Sequence, residues 1–186
     1  MDAMRQRMAW AVLLVLSLGL TVLASEAGAG GPWRARVVDA ETGQPLAGVV
    51  VLAYWTRSYP SVGGWGGTEY SASQEVVTGG DGRFQIGSRW SYSIPLITKV
   101  DGPEWRIFKP GYGSWDYGEV ENGEKFDRGE EITISLPPLK TREERLAILR
   151  GSEDVTGVIV PSENKPRLLE AVNSERIALG LQRIGQ

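Results

Sequence analysis

The sequence predicts a mainly β protein, a two-sheet sandwich of seven short strands with a short helical tail at its C-terminal end. Three observations predict it. Between Trp33 and Leu139 the chain is a series of short runs rich in Val, Ile, Trp and Tyr, separated by Gly, Pro and Asp. Seven such runs fill about 105 residues, the size of one sandwich domain. Helical spacing of apolar residues begins only after Leu139.

Each run has its own warrant. Residues 33–39 (WRARVVD) set Trp33, Ala35 and Val37 on one side and Arg34 and Arg36 on the other, as a half-buried strand does. The turn ETGQP follows at 41–45. Residues 48–55 (GVVVLAYW) are continuously apolar, which predicts a strand covered on both faces. Runs 74–78 and 83–87 flank Gly79, Gly80, Asp81 and Gly82, and read as a hairpin with a glycine-rich turn. Runs 94–100, 105–109 and 131–136 complete the set. Predicted core residues are Val37, Val49, Val51, Phe84, Ile86, Ile107, Ile132 and Ile134, with Trp55 and Trp105.

The domain organisation is read as residues 1–27, a signal peptide; 32–139, the sandwich; and 140–186, the helical tail. Arg5 and Arg7 outweigh Asp2, the stretch from Trp10 to Ala24 is uncharged, and small residues follow at Ala24, Ser25, Ala27, Gly28 and Ala29. Cleavage is expected in the Ala24–Ala29 window, and the protein is expected to be exported, periplasmic or secreted. An uncleaved anchor is the alternative, because the uncharged run from Met8 to Ser25 approaches the ~18 residues that begin to span a bilayer. The small-residue block after the run favours the signal and no stable membrane span in the mature chain. In the tail, Thr141 with Glu144 three positions later forms a capping-box pattern for one helix. A second helix is expected over 163–179, with Leu168, Val172 and Leu179 on one face, Glu175 interrupting it and Gly180 as its stop. Whether the tail packs on the sandwich or on a partner stays open.

Composition removes many functions. The chain of 186 residues has no His and no Cys. Imidazole bases, His-ligated zinc, thiolate nucleophiles, thiolate metal sites and disulfides are therefore excluded. Export without cysteines fits a bacterial exterior better than a disulfide-stapled extracellular domain. Twenty basic side chains against 23 acidic ones give a net charge of -3, and no basic block marks a nucleic-acid partner.

The strings VVDAETGQPLAGVVVLAYW (37–55), VVTGGDGRFQI (76–86), KPGY (109–112) and ITISLPPL (132–139) carry a resemblance. Together they resemble the carboxypeptidase regulatory-like domain, a member of the transthyretin-like sandwiches. The resemblance implies a seven-stranded Greek-key β-sandwich, exported and non-catalytic. It departs from the commoner form at Gly79, where an Asp often stands, and in a long insertion between Trp55 and Gln74. No functional residue carries over. The enzymes of related folds, hydroxyisourate hydrolases and intradiol dioxygenases, and the zinc peptidase to which the regulatory module is attached, use His, which this chain lacks.

Two sharper chemistries can be posed from the acids. A carboxylate-pair glycosidase needs only two Asp or Glu across a cleft, and the candidates are Glu69, Glu75, Asp101, Glu104, Asp116, Glu119, Glu121, Glu124 and Asp127. The acidic stretch from Asp116 to Glu131 offers oxygen ligands for calcium, but Lys125 and Arg128 lie inside it and a polar hairpin explains it equally well. No cofactor and no metal site are expected.

The aromatics point elsewhere. All aromatics downstream of the signal except Trp33 and Phe126 fall between Tyr54 and Tyr117. The 56–73 insertion reads as a Gly/Ser-rich loop carrying Tyr59, Trp65 and Tyr70, and Trp90 and Trp115 stand in similar settings. Exposed rings on a rigid sandwich suit ligand binding, because they give large contact area with few torsions to freeze. The competing reading is a loop that packs its own rings against the core. The expected function is thus an exported, non-enzymatic module acting in binding or envelope structure, with an envelope protein or a glycan as partner. The alternatives are a carbohydrate-binding module using Tyr59, Trp65, Tyr70, Trp90 and Trp115, and a small carboxylate-based glycoside-processing enzyme.

Overall fold

A computed structural model describes residues 27–61, 64–92, 98–113, 115, 126, 130–150 and 159–185. Residues 1–26, which hold most of the expected signal, lie outside them. Among the described residues the strands are β1 (Ala27–Gly30), β2 (Trp33–Asp39), β3 (Val50–Ser61), β4 (Gly64–Val77), β5 (Arg83–Ile86), β6 (Arg89–Tyr92), β7 (Lys99–Phe108) and β8 (Glu131–Leu136). Helices α1 (Arg142–Arg150) and α2 (Pro166–Ala178) follow, with a 3-10 turn at Ser162–Asn164.

The protein is mainly β, as expected. Two three-stranded sheets, ordered β5-β2-β8 and β4-β3-β7, face each other, and β1 and β6 form a separate ribbon. The two sheets hold six strands among the described residues, where seven were expected. The runs at 94–100 and 105–109 do not stand as two strands: 98–100 are the described part of the first, and Lys99 and Val100 open β7, which continues through Trp105 to Phe108.

Alternation dictates the core. Trp33, Ala35 and Val37 of β2, Phe84 and Ile86 of β5, and Ile132, Ile134 and Leu136 of β8 point at Val51, Ala53 and Trp55 of β3 and at Trp105 and Ile107 of β7. All eight predicted core residues, with Trp55 and Trp105, are buried. The intervening residues of β3 are buried too. Val50, Leu52 and Tyr54, with Phe108 of β7, pack against Leu149 of α1 and Leu168, Val172 and Leu179 of the second helical segment. The continuous apolar run of β3 thus has a layer on each side, and the tail packs on the sandwich.

Three local devices fix the tail. Thr141 Oγ1 accepts from the Glu144 N–H at 3.1 Å while Glu144 Oε2 accepts from the Thr141 N–H at 3.0 Å, completing the capping box. Glu175, which interrupts the apolar stripe in sequence, is buried and takes two hydrogen bonds from the Arg145 guanidinium at 2.6 and 2.7 Å, tying α2 to α1. The expected start of the second helix at residue 163 becomes a 3-10 turn, because Pro166 supplies the first residue of α2. Gly180, at φ +75°, ends it.

The expected hairpin at 74–87 is a crossing between sheets instead. β4 ends in one sheet and β5 begins in the other. Gly82 makes the crossing: at φ +75° its carbonyl accepts from the Val37 N–H at 2.8 Å, and an added Cβ would come within 2.4 Å of the Val37 carbonyl oxygen. Strand-like runs around a glycine turn look alike in sequence whether they pair with each other or diverge.

The 56–73 insertion is likewise corrected. It is no open loop but the paired ends of β3 and β4, which run in register from Val50–Val77 to Ser61–Gly64 with shifts at Trp55/Thr56 and Tyr59/Pro60. β3 has 12 residues and β4 has 14, while the facing β2, β5 and β8 have 7, 4 and 6. At ~3.3 Å per residue β3 reaches ~40 Å, so the hairpin projects well beyond the sheet opposite.

Candidate binding surface at the hairpin end

The sandwich has two chemically different ends. At one end the turns around Asp39 and Thr78 are tied by side-chain hydrogen bonds. Asp39 Oδ1 accepts from the N–H groups of Glu41 and Thr42, both at 2.9 Å, and its Oδ2 accepts from the Tyr112 hydroxyl at 3.0 Å. These bonds hold the Asp39 carboxyl below the ordinary carboxylate range, the Thr42 N–H contributing most, while burial and Asp39 push the Tyr112 phenol up. Thr78 Oγ1 donates to the Leu46 carbonyl at 2.6 Å and accepts from the Val49 N–H at 2.9 Å. These side chains of Asp39, Thr78 and Tyr112 hold turns, so they form a brace rather than a site.

The other end is aromatic. Trp33 lies 5.8 Å from Trp55 and 5.9 Å from Trp105, ring centre to ring centre. Phe126 packs at 4.7 Å on Trp105 and is fully buried. The Arg89 guanidinium of β6 sits 5.4 Å above the Trp55 ring. The buried indole N–H groups of Trp33 and Trp105 have no hydrogen-bond partner among the described residues.

Of the five residues proposed from sequence, the three whose side chains are described, Tyr59, Tyr70 and Trp115, do not share one surface. Tyr59 is half-buried on the projecting hairpin, its hydroxyl donating to Glu69 Oε2 at 3.1 Å. Tyr70, opposite Thr56, falls by strand alternation on the other face, joins the cluster beneath the helices and bonds Ser73 at 3.0 Å. Trp115 stands edge-on to Phe126 at 6.3 Å and packs on the core. Trp65 lies on β4 opposite Pro60 and Trp90 on β6 opposite Ala29, and their side chains lie outside the described residues. The hairpin tip thus carries Tyr59 and Trp65, while Tyr70 and Trp115 contribute to packing.

The candidate acids within the described residues each hold a structural partner. Glu69 accepts from Tyr59; Glu104 accepts from the Tyr54 hydroxyl at 2.5 Å; Asp101 pairs with Lys99 at 2.5 Å and takes a hydrogen bond from Ser58 at 3.2 Å. Glu75 accepts from the N–H groups of Arg167 and Leu168 at 3.0 and 2.9 Å, capping α2 from a strand. Asp116, Glu119, Glu121, Glu124 and Asp127 lie outside the described residues, and with them most of the candidate calcium segment. Among the described residues no three acids converge on a common point that could hold a metal ion, and no helix is long and apolar enough to cross a membrane. A groove of about 470 Å³ on the tail, lined by Glu163, Glu170, Asn173 and Arg183 among others, includes none of the five aromatics.

Sequence reasoning missed Glu69 as the anchor of Tyr59 and Arg89 as the cation over Trp55. The first follows from a two-residue cross-strand offset, which is legible once 56–70 is read as paired strands. The second depends on the β1–β6 ribbon, for which no sequence signal existed. Comparison with family models, with curated proteins and with solved structures found no match to this chain.

Proposed function

We propose that the protein is an exported, non-enzymatic β-sandwich module of the carboxypeptidase regulatory-like type, with that family's seven-stranded Greek-key plan, acting through binding or in envelope structure. One observation carries the reading: the two ends divide their labour. The family-like residues brace one end, and the hairpin projects from the other with Tyr59 held in place by Glu69. A ring pinned by a hydrogen bond loses little further entropy when a ligand stacks on it, which is how rigid aromatics become binding hot spots. The same geometry suits a carbohydrate-binding module, the narrower version of this reading. The partner is a glycan or an envelope protein.

The test uses the mature chain in a glycan and envelope-fraction pull-down, with Tyr59→Ala and Trp65→Ala as variants. Each is expected to weaken retention by about 30-fold, the equivalent of ~2 kcal/mol, at an unchanged unfolding midpoint. Variants that unfold early while the remaining folded protein is retained as tightly as the parent would defeat the proposal. They would show a hairpin that only covers its own core.

A further inference from the structure

The outer face of the β5-β2-β8 sheet carries a second and unrelated pattern. The residues that alternate away from the core are Arg34 and Arg36 on β2, Arg83 and Gln85 on β5, and Glu131, Thr133 and Ser135 on β8, and all of them are exposed. The tail helices pack on the other sheet, and Val38, the remaining outward position of β2, is buried beside its bridge to Pro45 at the far end of the face.

Each guanidinium on the face is held in the same way. Arg34 Nε donates to Gln85 Oε1 at 3.1 Å, Arg36 Nε donates to the Asp81 carbonyl at 3.2 Å, and Arg83 Nε pairs with Glu131 Oε1 at 2.8 Å. Every one of these bonds uses Nε. The terminal Nη groups, the pair that grips a carboxylate or phosphate in a fork, make no hydrogen bond among the described residues. Three charges stand against the single carboxylate of Glu131 on the strands; Asp81, at the rim, directs Oδ1 to the Arg83 backbone N–H at 3.1 Å. Arg36 and Arg83 also sit directly opposite each other across the β2–β5 ladder, where like charges destabilise a sheet. In a protein of net charge -3, this pairing of like charges is a local choice that stability alone does not favour.

We infer that this face binds an acidic polysaccharide, its carboxylates taken by Arg34, Arg36 and Arg83 and its hydroxyls by Gln85, Thr133 and Ser135. Charge complementarity selects an anion. The choice of a sugar polymer over a lipid surface rests on the chemistry of the neighbours: amide and hydroxyl groups match a hydroxyl-rich chain, and a membrane-docking face would need exposed apolar or aromatic residues, which the outward positions of these three strands do not present among the described residues. Arg34 and Arg36 lie ~7 Å apart along β2 and Arg83 ~5 Å to the side of Arg36, so the flat face presents its charges in a row with an offset, suited to an extended polymer. The surface is separate from the hairpin end and stands independently of what the aromatics bind.

The experiment titrates the mature chain at 50 mM NaCl with oligogalacturonate of about ten units, with dextran of matched length as the uncharged control. Parallel arms use vesicles of phosphatidylcholine and phosphatidylglycerol at 3:1 and a short duplex DNA. Oligogalacturonate is expected to bind, to weaken several-fold at 200 mM NaCl, and to lose at least tenfold in affinity in the triple variant Arg34→Gln/Arg36→Gln/Arg83→Gln. Should the triple variant fail to fold, Arg36→Gln alone serves. It is expected to bind more weakly at an equal or higher thermal midpoint, because it removes the cross-strand repulsion. Tyr59→Ala is expected to leave this binding intact, which separates this inference from the reading of the hairpin. No binding of oligogalacturonate, equal binding by the variants, or tighter binding of vesicles or DNA would each overturn it.

Discussion

At the scale of single residues, the buried polar contacts of the helix-covered face matter most. Tyr54 lies in β3 with its ring under the helices and its hydroxyl on Glu104 across the ladder. Burial first, and the Glu104 hydrogen bond second, push its phenol up to about 12. The sign follows from linkage. An unfolded tyrosine ionises near 10, so the folded state favours the neutral phenol; the resulting stabilisation is complete below pH 10 and disappears as pH rises from 10 to 12. Tyr112, raised by burial and by Asp39, acts in the same direction. The protein should therefore lose stability steeply between pH 10 and 12. Tyr54→Phe should be less stable at pH 8, having lost the bond to Glu104, yet show a shallower decline over that alkaline interval. Denaturant unfolding at a series of pH values measures both, and parallel curves for parent and variant would refute the assignment.

At the scale of elements, the docking of α2 depends on a residue from another layer. Its N-cap position is Lys165, which makes no side-chain cap. Glu75 of β4 does that work across the layers, accepting from two of the first free N–H groups of the helix. Glu75→Ala should cost about 1–2 kcal/mol, the range for a lost N-cap. The loss should be local as well as global, with amide exchange accelerating in the first turn of α2 more than in β2 or β8. Uniform acceleration in both places would mean that α2 unfolds only with the whole chain and that the cap has no separate role. The edges of the β4-β3-β7 sheet are protected in a similarly local way. The register of β4 shifts beside Trp55, and β7 carries Gly102-Pro103 between its pairings with Tyr54 and Thr56, features that discourage another strand from adding to an edge.

At the scale of the whole molecule, the N-terminal boundary and the sandwich meet. β1 begins at Ala27 and pairs along its length with β6, from Ala27–Tyr92 to Gly30–Arg89, so that β1 overlaps the window proposed for signal cleavage. A cut after Ala24 would leave β1 whole, and a cut after Ala29 would remove most of it. If the signal is cleaved as proposed, we expect N-terminal sequencing to begin between Ser25 and Ala27, because these starts preserve every residue of β1. A start at Gly30 would show that the mature fold forms without β1, and intact Met1 in a membrane fraction would show an anchor.

What the sequence determined by itself is local. Period-two alternation in 33–39, 83–87 and 131–136, the apolar run at 48–55 and the capping box at Thr141 and Glu144 each follow from neighbours a few residues apart, so those strands, the core residues and the first tail helix were legible. Tyr59 could be nominated from its setting alone. Tertiary structure decided which strands pair, because the choice between a hairpin and a crossing at Thr78–Gly82 depends on where Val37 lies to meet Gly82. It decided that Glu175 completes an ion pair, since Arg145 reaches it from a separate helix. It also separated Tyr70 and Trp115, which pack inward, from Tyr59 at the projecting tip. Alternation says which residues share a face of one strand, whereas what covers that face is set by segments far away in the chain.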